Sequence, residues 1–121
     1  MNALEVGQQL VTLYNTGRET EIVDRYYGDG ILSVEPMSEG DMARVEGIDA
    51  LRAKHAWWHD QTTVNSAVAE GPYAGANDTQ FVVRYDCDVS QNDERLTFKE
   101  LGVYTVDAGK IVREEFLALQ G

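Results

Sequence analysis

The second half of the chain constrains the fold most. From Val64 to Leu119 four segments of strand-like composition follow one another: VNSAVAEGPY, QFVVRYDCDVS, RLTFKELGVYTV and KIVREEFLAL. The short signals GAND, QND and DAG separate them, and such clusters of Gly, Asn and Asp turn a chain back on itself. A sheet of this kind has one face to bury, and the first half of the chain supplies the cover. Residues 3–16 carry Val6, Leu10, Leu13 and Tyr14 at helical spacing, with Val11 widening the stripe and Gly17 as the stop. ETEIVDRYY offers Ile22, Val23, Tyr26 and Tyr27 as a second helix that ends at Gly28, with GDG as a turn. Residues 48–61 return to the helical rhythm, with Ile48, Leu51, His55 and Trp58 on one face and Ala53 and Trp57 pointing away. Between them ILSVEP reads as a short strand, MSEGDM as a loop and ARVEG as a brief partner strand. Helices followed by a long run of strands predict an α+β domain with a largely antiparallel sheet and helices on one face. The 121 residues suit one domain over 1–121.

In RLTFKELGVYTV, alternate residues Leu96, Phe98, Glu100, Gly102, Tyr104 and Val106 share one face of a strand. Glu100 is a carboxyl group in an otherwise apolar row. Burying a lone charge is costly, so such a group takes an ionic partner or a raised pKa. Arg84, Lys99 and Arg113 are the candidate partners; the alternative is a working acid–base group in a pocket. Tyr104 stands two steps along the same face. Tyr85 belongs to the apolar row Phe81, Val83, Tyr85, Cys87 and Val89 of the preceding strand, where its hydroxyl can reach the same hollow or simply fill core.

Composition narrows the function. Acidic residues outnumber basic ones 21 to 10, a formal charge of −11, which argues against a nucleic-acid partner. No apolar run approaches a membrane span and no signal peptide is evident, so a cytoplasmic protein without membrane attachment is expected. The single cysteine, Cys87, suits a reducing compartment and reads as a small buried hydrophobe. The sequence lacks a G-x-S-x-G elbow, a phosphate-cradling glycine loop, a dinucleotide fingerprint and zinc-ribbon spacing, so no cofactor is expected. His55 and His59 stand four apart on one helix face, half of a metal site. No third histidine completes it, and no metal is expected. His55 is instead assigned beside Trp58 on a pocket wall, where an imidazole half-charged near its ordinary pKa of about 6.5 could move protons.

GVYTVDAGKIVREEF resembles the closing hairpin of the SnoaL-like and ketosteroid-isomerase-like superfamily, also called nuclear-transport-factor-like. AEGPY and the GIDALRAKHAWWHD helix resemble SnoaL-like proteins as well, and the order of elements is similar over nearly the whole chain. The resemblance implies a cone-shaped α+β barrel of the cystatin-like type, with three helices on a strongly curved, mostly antiparallel sheet around an apolar pocket. It also implies homodimers packed through the sheets, and carboxylate chemistry without metal: isomerisation, aldol ring closure, epoxide hydrolysis or dehydration. Many relatives only bind ligands or proteins.

Glu100, Glu35, Glu115 and Tyr104 are then the candidate catalytic residues, and Trp58, His55, Tyr85 and Phe98 the candidate ligand-binding ones. Glu35 shares its parity with Ile31 and Ser33. Of Glu114 and Glu115, on opposite faces of the last strand, the family's terminal acidic position favours Glu115. The expected activity is a cofactor-independent isomerase, cyclase or lyase acting on a small apolar carbonyl compound; the alternative is a non-catalytic ligand-binding or dimeric interaction module.

Overall fold

The computed structural model describes residues 1–35 and 43–120. Helix α1, Ala3–Asn15, begins at a capping box: the Asn2 side chain accepts from the Glu5 backbone N–H at 2.8 Å and the Glu5 carboxylate accepts from that of Asn2 at 3.1 Å. Two of the otherwise orphaned first-turn donors are thereby satisfied. Its buried stripe is Ala3, Val6, Leu10 and Leu13, and Gly17 continues past the helix end at φ +74°, a left-handed conformation that suits glycine. Gly7 allows α1 to lie directly on the sheet, since a Cβ there would stand 2.8 Å from both Phe81 and Pro72. The far end of α1 is tied down by Asn15, whose side-chain amide both donates to and accepts from the backbone of Ala69 at 2.8 Å.

Helix α2, Glu19–Tyr26, buries Ile22 and Val23. The chain then enters β1, Tyr27–Val34, without a break. The turn expected at GDG is absent: Gly28, Asp29 and Gly30 lie within this strand. On either side of this stretch β1 pairs in parallel with β6 (Lys110–Leu119), with Tyr27 opposite Ile111 and Ser33 opposite Glu114, and the register shifts between Tyr27 and Leu32. Strand β2, Arg44–Glu46, pairs antiparallel with β1 as the ARVEG segment suggested; the loop assigned to MSEGDM lies outside the described residues. Helix α3 spans Ile48–Gln61 and buries Leu51 completely. Three long strands complete the sheet: β3, Thr63–Ala74; β4, Gln80–Gln91; and β5, Glu94–Asp107.

The six strands run in the order β2-β1-β6-β5-β4-β3, antiparallel except for the β1–β6 pair. The sheet curls over three helices but does not close, because β2 and β3 remain its edges among the described residues. The architecture is the expected α+β cone, left open rather than sealed into a barrel. Its core gathers the helix stripes against Ile31, Phe81, Val83, Tyr104 and Ile111 on the concave face. Among the described residues, no helix is long and apolar enough to cross a membrane.

Candidate active site

The concave face can be laid out from strand register. One row across the sheet holds Ser33, Glu114, Tyr104 and Phe81. The next holds Phe116, Gly102 and Val83, and the one beyond holds Ala118, Glu100 and Tyr85. Glu35 follows directly on the end of β1, two residues after Ser33. Three acids thus belong to the concave surface around Phe116: Glu114, Glu100 and Glu35.

Glu114 was not the acid favoured by the sequence. A bulge at Val112 explains the change: Ile111 pairs with Val106 while Arg113 pairs with the adjacent Thr105, so β6 spends one extra residue there. The extra residue reverses the parity of everything after it. Ile111 and Glu114 both face inward, at 0% and 1% exposure, and Glu115 is turned outward, where it pairs with Arg113 at 3.1 Å. The buried Glu114 accepts a hydrogen bond of 2.5 Å from the hydroxyl of Tyr27. Burial raises its pKa; the Tyr27 hydrogen bond, the Ser33 hydroxyl and the charge of Lys54 pull the other way. Ser33 Oγ itself closes no hydrogen bond of full geometry. Tyr27 in turn is pushed well up, first by burial and then by Glu114.

Glu100 is half-buried between Tyr85 of β4 and Ala118 of β6. Its pKa rises to about 7, chiefly by desolvation and then by the like charges of Glu35 and Glu114, with Lys54 opposing. Two of the ionic partners weighed for it are engaged elsewhere: Arg84 with Asp86 at 3.8 Å and Arg113 with Glu115. Glu35 pairs instead with Lys54 of α3 at 3.6 Å, both side chains largely covered, at 22% and 13% exposure.

The tyrosines close the site. Tyr104 lies folded along β5 above Gly102, stacked on Phe81 at 4.9 Å and edge-on to Phe116 at 6.2 Å. Its hydroxyl meets that of Tyr85 at 2.5 Å. Tyr85 also packs against Tyr14 at 5.0 Å and Phe116 at 6.4 Å, and Tyr14 Oη sits 3.8 Å from Cys87 Sγ. Burial raises the pKa of Tyr14, Tyr85 and Tyr104, so all three hold their protons and remain donors at neutral pH. Desolvation also pushes up the Cys87 thiol, which suits the hydrophobe expected from the sequence.

Trp58 and Phe98 meet edge to face at 6.5 Å, on α3 and β5. His55 lies half-buried one turn before Trp58. Burial, reinforced by Lys54 and His59, lowers its pKa to about 4, which corrects the expectation of a half-charged imidazole: this ring is neutral at pH 7. His59 is exposed, and among the described residues no group of three His, Cys, Asp or Glu side chains is placed to hold a metal ion. An open hollow of about 480 Å³ is lined by residues of β3, β4, β5 and β6 that include Val68, Asp86, Thr97 and Leu119 and also Cys87 and Phe98, so it reaches the end of the candidate site where Phe98 meets Trp58. Its lining includes none of Glu35, Glu100, Glu114 and Tyr104.

Sequence reasoning named Glu100, Glu35, Tyr104, Tyr85, Trp58, His55 and Phe98 and left the orientation of Glu35 open; the structure brings the first four into one neighbourhood and sets the other three farther along the concave side. Sequence reasoning missed Lys54, Tyr27, Phe116 and the inward turn of Glu114. The only local signal for the last was the pair of adjacent glutamates.

Comparison with known proteins agrees with this architecture. The family model of the SnoaL-like domain matches residues 1–118. A candidate SnoaL-like polyketide cyclase from Mesorhizobium loti shares 37% identity, with 93% of this chain and 96% of that one covered and a TM-score of 0.86. A candidate isomerase from Bacillus subtilis superposes at a TM-score of 0.77 with 18% identity, over 97% of this chain and 86% of that one. A protein with a cystatin-like fold from Xanthomonas campestris does so at 0.80 with 12% identity, over 99% and 92%. These two share the fold. No curated protein matches the sequence.

Proposed function

This chain belongs to the SnoaL-like domain family, and on that premise we propose that it is a cofactor-independent acid–base catalyst for a small apolar carbonyl compound, of the isomerase, cyclase or lyase class. The observation that carries the reading is Glu100: a carboxyl group on an apolar concave face, opposite Tyr85, with a pKa raised to about 7. A base is most effective when its pKa lies near the working pH, since it then accepts and returns a proton with little penalty. Ketosteroid isomerase likewise combines a carboxyl base with donors to an oxyanion inside an apolar site.

Glu100 takes a proton from the carbon next to the carbonyl, and the electron pair moves onto the carbonyl oxygen. The Tyr85–Tyr104 hydroxyl pair, fully protonated at neutral pH, donates to that oxyanion. Return of the proton at another carbon gives isomerisation; attack of the enolate on a second carbonyl gives ring closure; loss of a leaving group gives elimination. Trp58 and Phe98 line the approach for an apolar ligand. Glu115, turned outward, has no part in the step, and Glu35 acts through its charge. The candidate cyclase from Mesorhizobium loti supports the class.

Two further parts of the reading stand beside this. A second copy docks on the convex face of the sheet, where Val68 and Leu117 are 54% and 56% exposed; light scattering checks it. A cytoplasmic setting accords with the free thiol of Cys87.

The test is proton exchange in heavy water on a panel of small cyclic ketones and 1,3-dicarbonyl compounds, followed by NMR. The native protein should accelerate exchange of the proton next to the carbonyl, and Glu100→Gln should lose about 100-fold or more. Equal rates for the two would overturn the assignment. Binding of the panel without exchange would leave a ligand-binding module in its place.

A further inference from the structure

Phe116 takes no part in the proton transfer, yet it stands at the centre of the concave face. Along β6 the inward residues are Glu114, Phe116 and Ala118, and they pass from 1% exposed through half-buried to exposed. Phe116 lies opposite Gly102, so no side chain from its own level of β5 covers it. Tyr104 folds back over that glycine instead. It meets the Phe116 ring edge-on at 6.2 Å, and Tyr85 meets the same ring at 6.4 Å. One phenylalanine thus buttresses both rings whose hydroxyls meet at 2.5 Å.

The next level of the sheet is open. Ala118 lies opposite Glu100, and cross-strand partners hold their Cβ atoms about 4.5–5.5 Å apart. The alanine is exposed and the carboxyl beside it only half-buried. One level further stands Phe98, packed edge to face on Trp58 at 6.5 Å. The Phe116 and Phe98 levels are about 13 Å apart by strand rise, with Ala118, Glu100 and Tyr85 forming the level between them. Van der Waals contact takes about 3.5–4 Å at each aromatic wall, which leaves room for a single ring with its carbonyl oxygen. We propose that Ala118 and Phe116 are the specificity-determining pair of the site: the substrate is one flat ring bearing the carbonyl group, seated on the Ala118 methyl between the Phe116 and Phe98 rings, with Phe116 holding Tyr85 and Tyr104 at its oxygen. The inference rests on the reading of Glu100 as the working base and names the kind of molecule that base meets. A residue larger than alanine at position 118 fills the seat, and a non-aromatic residue at position 116 releases the two tyrosines.

Phenol is the probe, because it presents the hydroxyl of an enol on one flat ring. In native protein labelled with carbon-13 at the alanine methyls, phenol should shift the Ala118 signal by its ring current and leave in place that of Ala108, in the turn between β5 and β6. Ala118→Leu should weaken phenol binding about tenfold or more, since the added carbons occupy the seat, and should leave the tyrosine bands of the near-ultraviolet circular dichroism unchanged. Phe116→Leu should weaken binding about threefold to tenfold and alter those bands. Phe116→Tyr, which keeps the ring, should restore both. An Ala118 methyl that phenol does not move overturns the proposal, as does an Ala118→Leu protein that binds phenol like the native one. The exchange assay fails separately. A protein that binds phenol at Ala118 and exchanges no ketone keeps the seat and loses the base; one whose ketone exchange is untouched by Ala118→Leu keeps the base and loses the seat.

Discussion

Tyr104 occupies the space that Gly102 leaves empty. A Cβ at position 102 would stand 2.7 Å from Tyr104 Cε2 and 3.0 Å from its hydroxyl oxygen. The ring cannot yield easily, since it is 2% exposed, stacked on Phe81 and hydrogen-bonded to Tyr85. Gly102→Ala should therefore destabilise the protein by about 1–3 kcal/mol, the usual cost of overpacking. The same change should break the Tyr85–Tyr104 contact. Urea unfolding measures the first effect and near-ultraviolet circular dichroism the second; a variant as stable as the parent, with unchanged tyrosine signals, would contradict the geometry.

The raised pKa of Glu100 makes stability depend on pH in a defined direction. Its folded value of about 7 lies above the ordinary carboxyl range near 4.5, so the folded state binds the proton more tightly than the unfolded chain. The contribution is complete below about pH 4.5 and is lost as the pH rises through 7. Glu100→Gln should then be more stable than the parent at pH 8, by about 1–3 kcal/mol, and nearly equal to it at pH 4. Denaturant melts at the two pH values check the sign.

The Tyr27 hydroxyl and the Glu114 carboxyl are a buried pair, and removing one partner strands the other. Tyr27→Phe should cost about 1–3 kcal/mol. In a Glu114→Met background the same substitution should cost clearly less, because no buried acceptor is left without a donor. A double-mutant cycle with no coupling between the two positions would rule out the hydrogen bond seen at 2.5 Å.

His55 should titrate near pH 4 rather than near its ordinary value. Because the folded state holds the ring neutral, its contribution to stability is present above about pH 6.5 and is lost as the pH falls toward 4. Nitrogen-15 NMR of the imidazole should show one neutral tautomer throughout pH 6–8. A midpoint between 6 and 7 would place the ring in water.

Much of this was legible along the chain. Strand-like composition after the DAG turn located β6 at Lys110–Leu119, and helical spacing located α3 at Ile48–Gln61, at the same bounds in sequence and structure. The odd carboxyl in the apolar row of β5 marked Glu100, since alternation is a property of the strand itself. Two readings failed where the deciding partner was remote. The GDG stretch looked like a turn, yet Gly28 to Gly30 run in β1, across an irregularity between Tyr27 and Leu32 whose two ends both pair with β6. Alternation allowed only one of Glu114 and Glu115 to face inward and the family resemblance favoured Glu115, but one bulged residue at Val112 sets the parity that turns Glu114 inward.

Local period was enough to tell most helix from strand, and to put one acid on a face shared with rings and aliphatic groups. It could not tell that Glu114 is buried, that Lys54 of α3 meets Glu35 just past the end of β1, or that Tyr104 reaches Tyr85 over Gly102. Each of these depends on register between elements far apart in the chain. Register is fixed only when the whole sheet curls over its helices, and no local pattern carries that information.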